Sequence, residues 1–252
     1  PLVYKRDKAA FFRGTLGWTD EIQHTNVSGE DQDLSHDRIT ALRLGVSLNR
    51  CLTGCLGMDF QYSRGIDISS RSHCDVGKGT PLSRSSGKNN FSHFNLDTTY
   101  AVALDKNLEF NINTGGQLSL DDLLNSEQSS ITGPDKLSGF TSGSISGDES
   151  WYFRGQLNYK KKLSNKLTLT PYVYGATGVS YTLTPTATEN RATAARSIGL
   201  GLKMDGIDNY FFDKNISAKV EYSKNWATGV LEDVSDVRLN KQHLLVNLAM
   251  NF

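Results

Sequence analysis

Apolar side chains recur at every second position through the C-terminal segment of this chain. Leu244, Val246, Leu248, Met250 and Phe252 share one parity, while His243, Asn247 and Asn251 share the other. A period of two is the period of a β-strand, whose side chains alternate between faces. Such a strand must bury or shelter one face only. The chain therefore has to fold into sheet with one apolar and one polar side.

The same alternation recurs along the whole sequence. It is clear at Phe12–Trp18, Leu42–Leu48, Leu56–Tyr62, Phe94–Leu104 and Leu108–Leu118. It returns at Trp151–Tyr159, Leu167–Tyr181, Ile198–Met204 and Ile216–Tyr222. With the terminal segment these predict about ten strands. No convincing amphipathic helix interrupts them. A mean hydropathy of −0.42 and the lack of any long apolar run exclude helical membrane spans, which need ~18 consecutive apolar residues. They do not exclude a barrel, whose strands hide a polar residue at every second position. Lys+Arg and Asp+Glu balance at 27 each, so no nucleic-acid partner is expected.

Two further patterns separate a membrane barrel from a soluble sandwich. The polar parity is rich in Gly, Asn, Gln, Ser and Thr, which suits a crowded wet lumen, and the apolar parity as assigned contains no Arg. Trp18, Tyr62, Tyr100, Trp151, Tyr159, Tyr181, Tyr222 and Phe252 fall at strand ends, as an interfacial girdle would. Connections also alternate in length. Short turns are expected at Asn49–Gly54, Asp105–Asn107, Lys161–Lys166 and Asp205–Asn215. Longer loops are expected at Asp20–Asp37, Arg64–Asn90, Ser119–Ser150, Leu183–Arg196 and Ala227–Gln242. Long loops outside and short turns inside are the asymmetry of an antiparallel outer-membrane β-barrel. The terminal strand then runs inward, and Phe252 is expected to be the mark that the barrel assembly machinery reads. Outer-membrane lipid would meet the apolar face.

Candidate functional residues follow from parity. Arg13, Arg43, Asp59, Asp97, Glu109, Arg154, Lys203, Lys219 and Glu221 are expected to line the lumen as a solvated charge network. No metal-spaced His/Cys cluster, phosphate loop or serine-nucleophile motif is present, so neither a cofactor nor an enzyme activity is expected. His93 with Asn95 and Asp97 is the one group a barrel hydrolase could use, and it lacks a nearby nucleophile. Cys51 and Cys55 could bridge in an oxidising compartment, but Cys74 makes the count odd. Three incidental cysteines are the expectation.

Two stretches carry a family resemblance. Pro1-Leu-Val-Tyr-Lys-Arg-Asp-Lys-Ala9, followed later by Asp37-Arg-Ile-Thr-Ala-Leu-Arg-Leu-Gly45, resembles the mid-barrel of two-partner-secretion transporters, the haemolysin-activator and filamentous-haemagglutinin transporter type of the Omp85 superfamily. Leu137, Ser138, Gly139 and Phe140, then Gly147 and Asp148, resemble that family's sixth extracellular loop. Pro171, Tyr172, Tyr174, Ala176 and Gly178 resemble the strand that faces it.

The resemblance implies a sixteen-strand barrel, of which residues 1–252 would be the C-terminal part. Two POTRA domains and the first six strands would then be absent from this sequence; the alternative is that the ten strands close by themselves. The resemblance also implies a channel that secretes a large adhesin or haemolysin-like exoprotein in unfolded form. A passive porin for small solutes and an Omp85-type assembly factor are the alternatives. Where the family pairs an Arg of the loop with an Asp of the facing strand, this chain carries Ser138 and Ala176. Joint loss avoids stranding one buried charge, and implies a loop held by Ser/Gly contacts or held loosely.

Overall fold

The fold was analysed in a computed structural model, which describes residues 2–6, 10–26, 33–68, 70, 79–164, 167–186, 189–208, 215–229 and 242–250. Phe252 and Cys74 lie outside the described residues.

The strands are β1 (Leu2–Arg6), β2 (Ala10–Asn26), β3 (Asp33–Cys51), β4 (Gly54–Gly65), β5 (Ser92–Ala103), β6 (Leu108–Ser119), β7 (Ser129–Ser130), β8 (Ser146–Gly147), β9 (Glu149–Tyr159), β10 (Lys161–Lys162), β11 (Thr168–Tyr181), β12 (Ala192–Asp208), β13 (Asn215–Thr228) and β14 (Gln242–Met250). The main sheet runs in the order β1-β2-β3-β4-β5-β6-β9-β11-β12-β13-β14, with β10 hanging off β11. Every pairing in it is antiparallel. β7 and β8 form a separate two-stranded ribbon. There is no α-helix among the described residues. The fold class is thus the expected one, an antiparallel all-β barrel wall, with the sheet open between β1 and β14.

All ten expected strands are present. β1 adds one more on the main path. Its five residues, LVYKR, are too few and too charged for the alternation to register in the sequence. Several expected connections are shorter than their polarity implied. The pairing of β2 with β3 continues through Thr25↔Ser35 and Asn26↔Asp33, so most of Asp20–Asp37 is ladder. Likewise β12 runs on to Asp208, inside the expected turn Asp205–Asn215. Polar residues mark where a strand leaves lipid, not where its hydrogen bonds stop. β2 and β3 have 17 and 19 residues, well beyond the ~9–11 that cross a bilayer.

Burial is inverted relative to a soluble sheet. Leu16, Trp18, Leu44, Val46, Phe60, Leu96, Trp151, Val173, Ile198, Leu200, Tyr222, Leu244, Val246 and Leu248 are all exposed. The opposite parity holds the buried polar residues, including Ser63, His93, Gln117, Arg154, Asn158, Ser197, Glu221 and Ser223. An exposed apolar band this broad is stable only in lipid. The girdle residues Trp18, Trp151, Tyr159, Tyr181 and Tyr222 lie in it, each more than two-fifths exposed. Contrary to the sequence expectation, this face does carry Arg: Arg196 shares the parity of Ile198 and Leu200 and is exposed. Arg196 falls within the expected loop Leu183–Arg196, but β12 begins at Ala192.

Among the described residues, packing between layers occurs on the inner face. The connection between β6 and β9 folds back onto it, and so does part of the β4–β5 connection. Ile131, Leu137, Phe140 and Ile145 of the former pack against Tyr152, Tyr172, Tyr174, Ala176 and Ala195 of the wall. Leu123 and Leu124 join Leu82, Ile39, Ala41 and Phe91 in a second cluster. Leu123, Leu124, Ile131 and Leu137 are all fully buried, and burying a side chain of that size contributes ~1.5–3 kcal/mol.

A Cys51–Cys55 disulfide closes the β3–β4 turn, contrary to the expectation of incidental thiols. The hairpin register sets the two residues directly opposite each other, a placement that their spacing in sequence leaves open.

Candidate functional site

The loop between β6 and β9 is itself a small structure. A single 3₁₀ turn, Asn125–Glu127, leads into β7, and β8 returns antiparallel to it. Between them the chain doubles back through Leu137–Phe140, whose four residues are buried. Gly143 turns the tip with φ +79°, a conformation that favours glycine. Gly139 lies so close to β13 that a Cβ there would collide with Asn225. The Asn225 side-chain amide donates to the Gly139 carbonyl at that contact.

Ser138 occupies the centre. Its hydroxyl donates to Glu221 Oε1 and accepts from Arg154 Nη1. Arg154 comes from β9 and Glu221 from β13, and the two also meet directly, Nη2 to Oε2, at 3.1 Å. Arg154 and Glu221 are 2% and 1% exposed as side chains. Tyr172 donates its hydroxyl to Glu221 at 2.7 Å, and Lys219 Nζ lies 3.2 Å from the same carboxylate. The Tyr174 ring lies under the Arg154 guanidinium at 3.7 Å, a cation–π contact. Tyr172 and Tyr174 lie across Gly201 and Gly199 of β12, where a Cβ would overlap the rings. Those two glycines let both aromatics lie flat against the wall.

Ala176 is the direct cross-strand partner of Arg154. A small residue there leaves room for the guanidinium. The wall thus supplies both charges itself and the loop supplies a hydroxyl. The Ser/Gly contacts implied by the sequence exist at Ser138 and Gly139, but they rest on an ion pair between strands 67 residues apart in the chain. Nothing in the alternation pointed to that pair, because parity gives a face and not a partner.

A second anchor lies toward β3–β5. Glu127 of the loop takes Arg43 Nη2 at 2.6 Å and His93 Nε2 at 3.0 Å. Burial opposes its charge, but the hydrogen bonds from His93 and Arg43 outweigh that and hold the carboxyl below its ordinary range. Gln117 donates to the backbone carbonyls of both Glu127 and Asp148 at 3.0 Å. His93 is occupied by Glu127 and Asn95, which gives the suspected hydrolase group a structural task.

Asp148 forms the third anchor and is fully buried. Its carboxylate accepts from Arg84 Nη1 at 2.6 Å, Leu123 N at 3.1 Å, Gln128 Nε2 at 3.2 Å and Leu183 N at 2.9 Å. One side chain therefore ties together the β4–β5, β6–β9 and β11–β12 connections. Arg84 and Glu127 were missed in the sequence. The only signal was a lone charge among Gly, Ser and Asn residues.

The remaining expected residues are dispersed. Asp97 accepts from the Tyr152 hydroxyl at 2.7 Å across Gly115. Glu109 pairs with Lys160 at 2.6 Å, and Lys203 with Asp205 at 3.0 Å. Arg13 and Asp59 are exposed. Of the loop and strand motifs, Gly147 and Gly178 are buried and Pro171 faces outward. Lys136 of the loop lies over the Tyr152 ring at 4.8 Å; burial pushes its ammonium down, partly offset by Asp97.

Two polar cavities flank the loop on the inner face. One, of about 440 Å³, is lined by Arg43, Asp59, Asp97 and Glu127 among others. The other, of about 340 Å³, is lined by Glu109, Arg154, Lys203 and Lys219 among others. Among the described residues no group of His, Cys, Asp and Glu could hold a metal ion, and no helix is long and apolar enough to cross a membrane. The arrangement can hold water and charged groups along a polar wall, with a folded segment set across it.

A family model described as haemolysin secretion/activation protein ShlB/FhaC/HecB matches residues 2–204. Among solved structures, CdiB from Escherichia coli is similar, with a TM-score of 0.76 at 20% identity. The match covers 98% of this chain and 43% of CdiB, so the chain spans less than half of that protein's length. No curated protein sequence matches. With most of its length covered by the family model, and with the barrel wall and inward loop described above, this chain belongs to the haemolysin secretion/activation protein ShlB/FhaC/HecB family.

Proposed function

We propose that this chain is the C-terminal barrel portion of a channel that secretes a large adhesin or haemolysin-like exoprotein in unfolded form. The protein resides in the outer membrane and is not an enzyme, as befits this family of transporters. The observation that carries the secretion reading is the folded β6–β9 loop, held on the polar inner face by Glu127 on Arg43 and by Ser138 on the Arg154–Glu221 pair, and tied by Asp148 to Arg84 of the β4–β5 connection. A wall built for passive solute flow has no need of three such anchors. A channel that stays shut until a client displaces a segment does. Export would draw on folding of the client outside, with Arg43, Asp59, Glu109, Lys203 and Lys219 offering a polar path. Among the described residues β1 and β14 each have one neighbour in the sheet, and an open sheet edge is not tolerated in lipid. Further strands of a larger barrel would cover both.

The test locks the loop. A Cβ on Gly139 would lie 2.7 Å from Asn225 Cγ, the atom whose place a sulfur takes in Asn225→Cys, so Gly139→Cys with Asn225→Cys brings two thiols within reach of a disulfide. In cells carrying the full-length protein and its exoprotein, the locked variant should abolish exoprotein in the medium, and a reductant should restore it. Undiminished export by the locked form would overturn the reading. Uptake of small solutes without any exoprotein transport would favour a porin.

A further inference from the structure

On the outer face the apolar cover is broken by a cleft with a cation at its rim. Phe153, Gly175, Thr177, Arg196, Ile198 and Trp226 line it, and its volume is about 830 Å³. That lies within the ~300–1,000 Å³ typical of ligand pockets. The strand register explains its shape. Thr177, Arg196 and Trp226 form one cross-strand row, and Gly175, Ile198 and Lys224 form the next. Gly175 leaves the floor bare: a Cβ there would meet nothing within 4 Å. Phe153 and Trp226 rise on either side.

Depth in the membrane follows from the charges. Arg196 and Lys224 both share the parity of the lipid-facing residues, and both are exposed. Lys224 Nζ sits 5.5 Å from the Trp226 ring centroid. An outward Arg costs ~2–4 kcal/mol at mid-bilayer and ~0–1 near the interface. Trp226 lies two residues before β13 ends at Thr228, where an interfacial Trp belongs. Arg196 is therefore at headgroup level, and the row Gly175–Ile198–Lys224 lies one step deeper, toward the acyl region, with the Lys224 ammonium reaching back toward the Trp226 ring.

We propose that this cleft binds a phosphate-bearing anionic lipid, with its phosphate on Arg196 and Lys224 and an acyl chain along Gly175 and Ile198. Charge complementarity selects that occupant. A neutral chain would fill the apolar floor but bring no anion to Arg196 and Lys224, and a free phosphate would leave the floor empty. Arg offers the paired N–H geometry that phosphate accepts. The site is on the opposite side of the wall from the loop anchors, so it stands apart from the transport reading.

Native mass spectrometry of the full-length protein in detergent tests it, with phosphatidylglycerol and phosphatidylcholine of identical acyl chains. Phosphatidylglycerol should be retained severalfold more than phosphatidylcholine, and inorganic phosphate should not displace it. Arg196→Gln should remove the preference, and Gly175→Leu should lower retention of both lipids. Equal retention of the two lipids by the unaltered protein would overturn the proposal, as would displacement by inorganic phosphate. A second measurement uses Trp226 as reporter after every other tryptophan of the full-length protein, Trp18 and Trp151 among them, is replaced by phenylalanine. Brominated phosphatidylglycerol in mixed vesicles should quench it more than brominated phosphatidylcholine at equal content, and equal quenching would refute the site.

Discussion

Two anchor points of the inward loop, Ser138 and Glu127, are held by the same kind of chemistry in opposite arrangements. At Ser138 the wall owns both charges, Arg154 and Glu221, and the loop inserts a neutral hydroxyl between them. At Glu127 the loop owns the charge, and the wall supplies Arg43 and His93. If the loop leaves the first anchor, Arg154 still meets Glu221 directly and no charge is stranded. If it leaves the second, a buried carboxylate loses its partners. Burying an ion pair adds little net stability, but removing one member of such a pair is costly. The difference therefore divides labour: the Arg154–Glu221 pair stiffens the wall, whereas Glu127 sets how firmly the loop stays down.

The largest expected effect breaks the wall pair. Arg154→Leu should destabilise the barrel by ~3–5 kcal/mol, because Glu221 is left buried with only Lys219 to balance it. Urea unfolding in vesicles, followed by tryptophan fluorescence, measures this; a loss under ~1 kcal/mol, the scale of one ordinary hydrogen bond, would refute the wall assignment. Glu127→Gln should cost less, ~1–3 kcal/mol, and should appear as more frequent channel opening in planar bilayers with the barrel intact.

Acid should mimic that substitution. The Glu127 carboxyl titrates below its ordinary value of 4.5 in the folded protein. Its stabilisation is thus complete above that value and is lost as pH falls below it through the folded-state value. Opening should rise in that window for the unaltered protein, and the rise should be smaller in Glu127→Gln. The smallest effect is expected from Ser138→Ala, ~1 kcal/mol, with little change in unfolding of the wall. An effect as large as that of Arg154→Leu would mean that the loop hydroxyl, not the direct ion pair, holds the strands together.

Much of the wall is legible in the sequence alone. Parity alone assigned Leu44, Phe60, Leu200 and Leu248 to the exposed face and Arg43, Arg154 and Glu221 to the other, because a strand has only two faces. It also bounded the long connection Ser119–Ser150 within a residue of the observed strand ends. Polarity misled at Asp20–Asp37 and at Arg196, since ladders continue past the lipid and cations are tolerated at headgroup level. β1 was too short to register, and the Cys51–Cys55 bridge depended on hairpin register.

What the sequence by itself determined is the class of solvent on each side of every strand. That information is local: it repeats every two residues and needs no partner. Only the tertiary structure decided which charges meet. Arg154 and Glu221, Glu127 and Arg43, and Asp148 and Arg84 lie 67, 84 and 64 positions apart. Their pairing depends on strand register, on the path of the loop and on the small residues at 115, 138 and 176 that leave room for larger neighbours. Those are properties of the assembled sheet, and no window of the sequence contains them.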